Sequence, residues 1–195
     1  MKNLIKSLFT ALVMILVSPL YLSYHLLALI FGKDPLIPAY TQFLSLFPGQ
    51  TGNYIRKCTL RFILSHCSTN TVISFGVLMS HQDTEIHDGV YIGPQCNIGR
   101  SVIGANCLFG SGVHIISGKK QHNFDDLDTP IREQGGEFER VTIGEDTWIG
   151  NGALVMANVG KKCIIAAGSV VTQEVEDYSI VAGNPARVIK KRNTA

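Results

Sequence analysis

An aliphatic residue returns at six-residue spacing on both sides of a break between Ile86 and Thr172, opening units such as Ile92-Gly93-Pro94-Gln95-Cys96-Asn97 and Ile143-Gly144-Glu145-Asp146-Thr147-Trp148. Units headed by Ile86, Ile92, Ile98, Ile103, Phe109, Ile143, Ile149, Val159 and Ile165 place Val90, Cys96, Val102, Cys107, Val113, Thr147, Ala153, Cys163 and Ser169 in fifth position. All of these are small. A helix of period 3.6 cannot hold that register. The pattern predicts a mainly β fold, a parallel β-solenoid in which each unit is one short strand, the aliphatic head and the small fifth residue turn inward, and glycines serve the tight corners. Three units make a coil of about 18 residues, and coils stack at about the 4.8 Å strand spacing with hydrogen bonds running between them.

Irregular units headed by Ile73 and Met79 start the stack. Between Ile115 and Val141 the rhythm stops, and a polar loop, residues 116–140, begins Ser117-Gly118-Lys119-Lys120-Gln121-His122 before the repeats resume at Ile143. A long loop leaving an intact wall is the place to look for chemistry. After Val171 the pattern decays into a tail carrying Arg187, Lys190, Lys191 and Arg192, which either caps the solenoid or meets phosphates.

Upstream lies different material. The 26 residues between Lys6 and Lys33 hold no Lys, Arg, Asp or Glu, long enough for a helix to cross about 30 Å of hydrocarbon. The apolar run extends past a usual signal-peptide core and has no A-x-A cleavage site, so it is expected to stay on the protein. Ser18-Pro19 divides it, with a kink at Pro19. Basic residues flank both ends (Lys2 and Lys6; Lys33, Arg56, Lys57 and Arg61), which favours a segment dipping into the membrane and returning over a straight span, with both ends cytoplasmic. A second helix around Tyr54–Leu64 either lays a basic face on an anionic membrane or packs on the first solenoid turn. The expected division is a helical membrane-associated region, residues 1–66 with its hydrophobic segment at 7–32, and a β-helix domain, residues 67–195.

The formal net charge of +2 and the lack of an aromatic-interleaved basic stretch argue against a nucleic-acid partner. Of five cysteines, Cys96, Cys107 and Cys163 hold the small inward position and read as core, while Cys58 and Cys67 lack metal-ligand spacing with the histidines.

Three further stretches, Thr142-Ile143-Gly144-Glu145-Asp146-Thr147-Trp148-Ile149-Gly150, Ala167-Gly168-Ser169-Val170-Val171-Thr172 and Val181-Ala182-Gly183-Asn184-Pro185-Ala186-Arg187-Val188-Ile189, carry a resemblance. Over roughly residues 70–192 the chain resembles the bacterial hexapeptide-repeat acetyltransferases, most of all the sugar and polysaccharide O-acetyltransferases. The resemblance implies a left-handed parallel β-helix, a homotrimer, acetyl-CoA as co-substrate and a sugar or lipid-linked glycan as acceptor. It also implies transfer to a hydroxyl of a cell-surface polysaccharide or its precursor, at the cytoplasmic face of the bacterial inner membrane; N-acetylation of an amino sugar is the alternative.

In the family this resembles, a His in the extended loop is the general base, and His122 is the matching position. A neutral imidazole is suited to the task, since it takes a hydroxyl proton near neutral pH without a covalent intermediate. By the same resemblance Asn151, Ala167 and Thr172 lie along the pantetheine arm, Arg187 and Lys190 near the nucleotide phosphates, and Trp148 beside the acceptor. Met156-Ala157-Asn158 is two residues shorter than the usual linker. No metal is expected, although His81, His87, His114 and His122 keep a trimeric zinc carbonic-anhydrase-like reading in view; His114 and His122 are eight apart, where that family uses five.

Overall fold

The computed structural model describes residues 2–192; Met1, residues 193–195 and the side chains of Lys2, Asn3 and Ile5, which include the ends of both expected regions, lie outside the description. The repeat builds a parallel solenoid of three sheets. One contains His66–Cys67, Glu85–Ile86, Ser101–Ile103 and Val141–Ile143. The second contains Val72–Ile73, Tyr91–Ile92, Leu108–Phe109, Trp148–Ile149, Ile164–Ile165 and Ser179–Gly183. The third contains Leu78–Met79, Asn97–Ile98, His114–Ile115, Leu154–Val155 and Val170–Val171. Heads fall exactly one above another: Ile92 pairs with Phe109, Phe109 with Ile149, and Ile149 with Ile165. All four are fully buried.

The inward fifth position holds with one correction. Val102 is only partly buried, whereas Ser101 is fully buried. The unit headed by Ile98 has five residues, so its strand begins one residue early and the small inward place falls to Ser101. Glycines do serve the corners at the fourth position, where Gly89 (φ 72°), Gly112 (φ 65°), Gly152 (φ 65°) and Gly168 (φ 67°) are left-handed, but those at the second position do a different job. Second-position glycines such as Gly104 and Gly144 keep negative φ; a Cβ there would lie 2.7 Å from the backbone nitrogen of Glu145 and 2.4 Å from that of Lys161, in the next coil. Clearance between coils selects them. The left-handed corner conformation belongs to the fourth position, where Asn106 (φ 60°) and Asp146 (φ 54°) adopt it as side-chain-bearing residues.

Four helices cover the first coil: α1 (Lys2–Leu16), α2 (Ser18–Phe31), α3 (Leu36–Ser45) and α4 (Gly49–Ile63). Among the described residues no single helix is long and apolar enough to cross a membrane; α1 and α2 have the length together but meet at a 47° bend. The break falls at Val17, and Pro19 sits in the first turn of α2, where its missing N–H costs nothing. The bend departs from a straight rod without reversing the chain. The expected membrane segment is therefore not built as a spanning helix. Its inner face, with Thr10, Val13 and Val17, packs on α4 around Cys58.

The second helix takes the packing alternative and not the basic-face one. Arg56 is 1% exposed, and its guanidinium donates to the carbonyls of Ile73 (2.6 Å), Leu44 (3.2 Å) and Phe47 (2.7 Å) and to Asn53 Oδ1 (2.8 Å). One planar fork thus ties α3, α4 and the first coil. Tyr24, Ile37, Leu44, Leu60 and Ile63 join the solenoid interior in one continuous core.

Candidate active site

The loop is braced by its own backbone. Glu139 N donates to Ser117 O (2.9 Å), Glu137 N to Lys120 O (2.7 Å) and Asn123 N to Gly135 O (2.9 Å), so the two limbs run side by side. Its tip is closed by Asp126, whose carboxylate accepts from Asp128 N, Thr129 N and Thr129 Oγ1, while Gln134 Nε2 donates to the Asp126 and Thr129 carbonyls. These bonds, the Thr129 hydroxyl foremost, hold the Asp126 carboxyl below the usual range. Asp126 thus braces the loop tip.

His122 stands on the first limb, exposed, with no described residue hydrogen-bonded to its ring. Gly136 crosses so close behind it that a Cβ there would lie 2.0 Å from Gln121 O and 2.8 Å from His122 N. The loop base is fixed to the wall: Arg100 donates to Phe138 O (2.9 Å) and pairs with Asp83 (2.8 Å), and Arg140 pairs with Glu85 (2.7 Å). The Arg140 hydrogen bond lowers the Glu85 carboxyl. Beneath the loop a cavity of about 190 Å³ is lined by His81, Asn97, Ser117, Gln121 and Phe138, with the His81 and Phe138 rings 5.2 Å apart. Sequence reasoning did not find this cavity; apart from His81, weighed only as a metal ligand, its residues carry no motif.

The expected cofactor residues fall in three places. Asn151 and Ala167 occupy the same corner of successive coils, both exposed, with Gly168 N donating to Asn151 O (2.9 Å). Asn151 Oδ1 also accepts from Ser111 N at 3.1 Å, extending that column by one coil. Thr172 lies at the other end of the third sheet, just after Val170–Val171 and level with Met156. Arg187 and Lys190 are exposed on the closing strand Ala186–Lys191, antiparallel to Ser179–Gly183. Its neighbour Lys191 is committed elsewhere, to Glu176 at 2.8 Å. Trp148, 50% exposed, stands outward on the second sheet between Leu108 and Ile164. One chain therefore brings Asn151 and Ala167 together, while His122 projects from a different sheet from the one that bears Trp148.

Asn158, in the short linker, accepts from Thr142 N (2.8 Å) and ties its coil to the preceding one. Among the described residues no three His, Cys, Asp or Glu side chains are grouped to hold a metal ion. His87 instead contacts Glu85 (3.4 Å) and the His66 ring.

Residues 83–117 and 140–173 match the model of the bacterial transferase hexapeptide (six repeats), so the match stops and resumes at the loop. A probable macrolide acetyltransferase of Lysinibacillus sphaericus is 39% identical over 107 residues, 47% of this chain and 59% of that protein. A chloramphenicol acetyltransferase of Agrobacterium fabrum is 36% identical over 118 residues, 52% of this chain and 56% of that protein. The chain thus spans somewhat over half the length of these two relatives. A hexapeptide-repeat acetyltransferase of Vibrio cholerae, solved in complex with acetyl coenzyme A, shares the fold at a TM-score of 0.54 and 18% identity, covering 82% of this chain and 89% of that one. Residues 83–117 and 140–173 of the solenoid are thus built of the bacterial transferase hexapeptide repeat, and over that stretch the chain is similar to these acetyltransferases.

Proposed function

We propose that this chain is an acetyl-CoA-dependent O-acetyltransferase with His122 as its general base. The imidazole takes the proton of an acceptor hydroxyl as that oxygen attacks the thioester carbonyl; the C–O bond forms, the C–S bond breaks, and the proton passes to the departing thiolate. The observation that carries this reading is the loop itself, whose internal bonding presents an exposed His122 with no described residue hydrogen-bonded to its ring. Such a residue suits a site completed by a neighbouring subunit, so the working form is a homotrimer of left-handed β-helices. Asn151, Ala167 and Thr172 line the pantetheine arm along the third sheet, Arg187 and Lys190 meet the nucleotide phosphates, and Trp148 offers an apolar face to the acceptor.

Two points favour a hydroxyl acceptor presented at a membrane. The relatives are named for macrolides and chloramphenicol, both alcohols. The outer faces of α1 and α2 expose Leu8, Leu12, Ile15, Leu26, Leu29 and Ile30, each more than half exposed, in a position to lie in the inner leaflet on the cytoplasmic side. The acceptor is then a sugar hydroxyl of a cell-surface polysaccharide or of its lipid-linked precursor. The test is mass spectrometry of surface glycans from cells with and without the protein. An acetyl group present only with the protein and lost in mild alkali is the expected ester; an alkali-stable acetyl marks the amide of N-acetylation, and no acetyl difference overturns the reading.

A further inference from the structure

Two cations, Lys6 and Lys57, meet where the helical cap joins the solenoid, and among the described residues neither is ion-paired with a carboxylate. Lys57, on the third turn of α4, is only 5% exposed. Among the described residues its ammonium lies over the Tyr54 ring, 4.1 Å from the centroid, and pairs with no carboxylate. It lines a cavity of about 170 Å³ with Lys6, Gln50, Asn53 and Asn70. A wider groove of about 490 Å³, bounded by Lys6, Ser7 and Thr10 of α1 and by Thr69 and Asn70 of the first coil, shares Lys6 and Asn70 with that cavity. The acid closest in influence, Asp88, has its oxygens taken by Ser68 (2.8 Å) and Asn70 (3.0 Å).

A buried ammonium without a counterion costs stability, and a second ammonium facing the same space adds repulsion. Burial pushes the Lys57 amine below its ordinary value, and Lys6 pushes in the same direction. A bound anion removes both penalties. The amides of Gln50 and Asn53 and the hydroxyl of Ser7 supply neutral donors around that anion, while the Thr10 hydroxyl donates to Lys6 O (2.8 Å) and the Asn70 amide to Asp88 (3.0 Å). The next turns of α1 expose Leu8 and Leu12 outward, so an anion seated here has an apolar surface alongside.

We propose that Lys6 and Lys57 form a binding site for a phosphate group carried by a lipid, set between α1, α4 and the first coil. The site rests on the membrane-facing reading of α1 and α2 and adds a headgroup contact that fixes how the solenoid stands on the bilayer. It is separate from the acetyl-transfer machinery.

The test uses the full chain, as wild type, Lys57→Met, Lys6→Gln and the double variant, floated with phosphatidylcholine vesicles and with vesicles also containing phosphatidylglycerol. Each cation near an anionic surface contributes about fivefold in partitioning, so the double variant should lose about twentyfold of the phosphatidylglycerol increment while its phosphatidylcholine binding stays. Met keeps the apolar stem of Lys57 and removes an unpaired buried charge, so the thermal midpoint should hold or rise. Lys6→Gln alone, at an exposed position, should lose about fivefold. Equal increments in wild type and the double variant would overturn the site, as would a Lys57→Met chain that melts earlier and binds as before. Failure of wild type to bind phosphatidylcholine at all would count against the membrane reading. The site itself is then decided by millimolar inorganic phosphate: a rise in the wild-type midpoint that is absent from the double variant keeps a phosphate site, and no rise removes it.

Discussion

In the solenoid wall Phe109 and Ile149 are fully buried and each is held by the coil above and the coil below, whereas in the loop His122, Phe124 and Leu127 face outward on a segment held by its own hydrogen bonds. The wall has no slack, because every strand pairs with neighbours about 4.8 Å away and one enlarged side chain is felt by both. The loop meets the wall mainly at its base, through Arg100 and Arg140. On the proposed function, stability and chemistry lie in separate parts of one chain, and each should be open to damage without the other.

The sharpest way to break this comparison is His122→Ala. Losing a general base costs about 10²- to 10⁴-fold in kcat, or about 3–5 kcal/mol of transition-state stabilisation. Since His122 is exposed and its ring unbonded, acetyl-CoA affinity and melting temperature should stay near wild type; steady-state turnover with calorimetry checks both. Retention of a tenth of wild-type turnover, or inactivation by unfolding, would remove His122 as the base.

Gly136→Ala probes the brace without touching the imidazole. Its new Cβ would meet backbone at Gln121 O, which cannot swing away as a side chain can, so the limb bearing His122 must shift. Misplacing a catalytic group by about 1 Å costs up to about 10²-fold, and a kcat fall of about ten- to a hundredfold is expected with the midpoint little changed. A variant as active as wild type would mean that the brace does not position His122.

Cys107→Leu makes the complementary change in the wall. The thiol is 1% exposed and donates to Gly144 O at 3.1 Å, and burial raises its pKa to about 11, as expected of a protonated packing group. Overpacking should cost about 1–3 kcal/mol of stability, with Cys107→Ala and Cys107→Val costing less and kcat of the folded protein unchanged. Equal denaturation midpoints for all three would undo the inward assignment.

The wall could be read from sequence because its geometry repeats: a constraint at Ile92 returns at Ile103, Ile143 and Ile149, so local pattern carries global information. Where the count slips by one residue, at Ile98, the reading moved the inward place to Val102 although Ser101 occupies it. The cap was less legible for a physical reason. Arg56 and Lys57 look like an exposed basic pair, and their burial depends on carbonyls at Leu44, Phe47 and Ile73 and on a cavity wall from α1, none of which leaves a sequence pattern. The loop's position was evident from the lost rhythm, but its brace rests on backbone pairings between residues with no shared motif. Glycines were expected at the corners, as Gly112 and Gly152 are, but the second-position glycines answer to contact with the next coil, which is invisible in any single unit.

A stack of like rungs contains no instruction to stop, and its last rung offers the next molecule the same open backbone that it offered its own predecessor. Here the bottom rung lies under four helices, and at the top the chain doubles back through the antiparallel strand Ala186–Lys191, whose Arg187 and Lys190 stand in solvent. A charged, reversed strand is a poor template for a parallel neighbour. The length of the column is set by its two ends, and trimming either one should turn a discrete particle into the seed of a fibre.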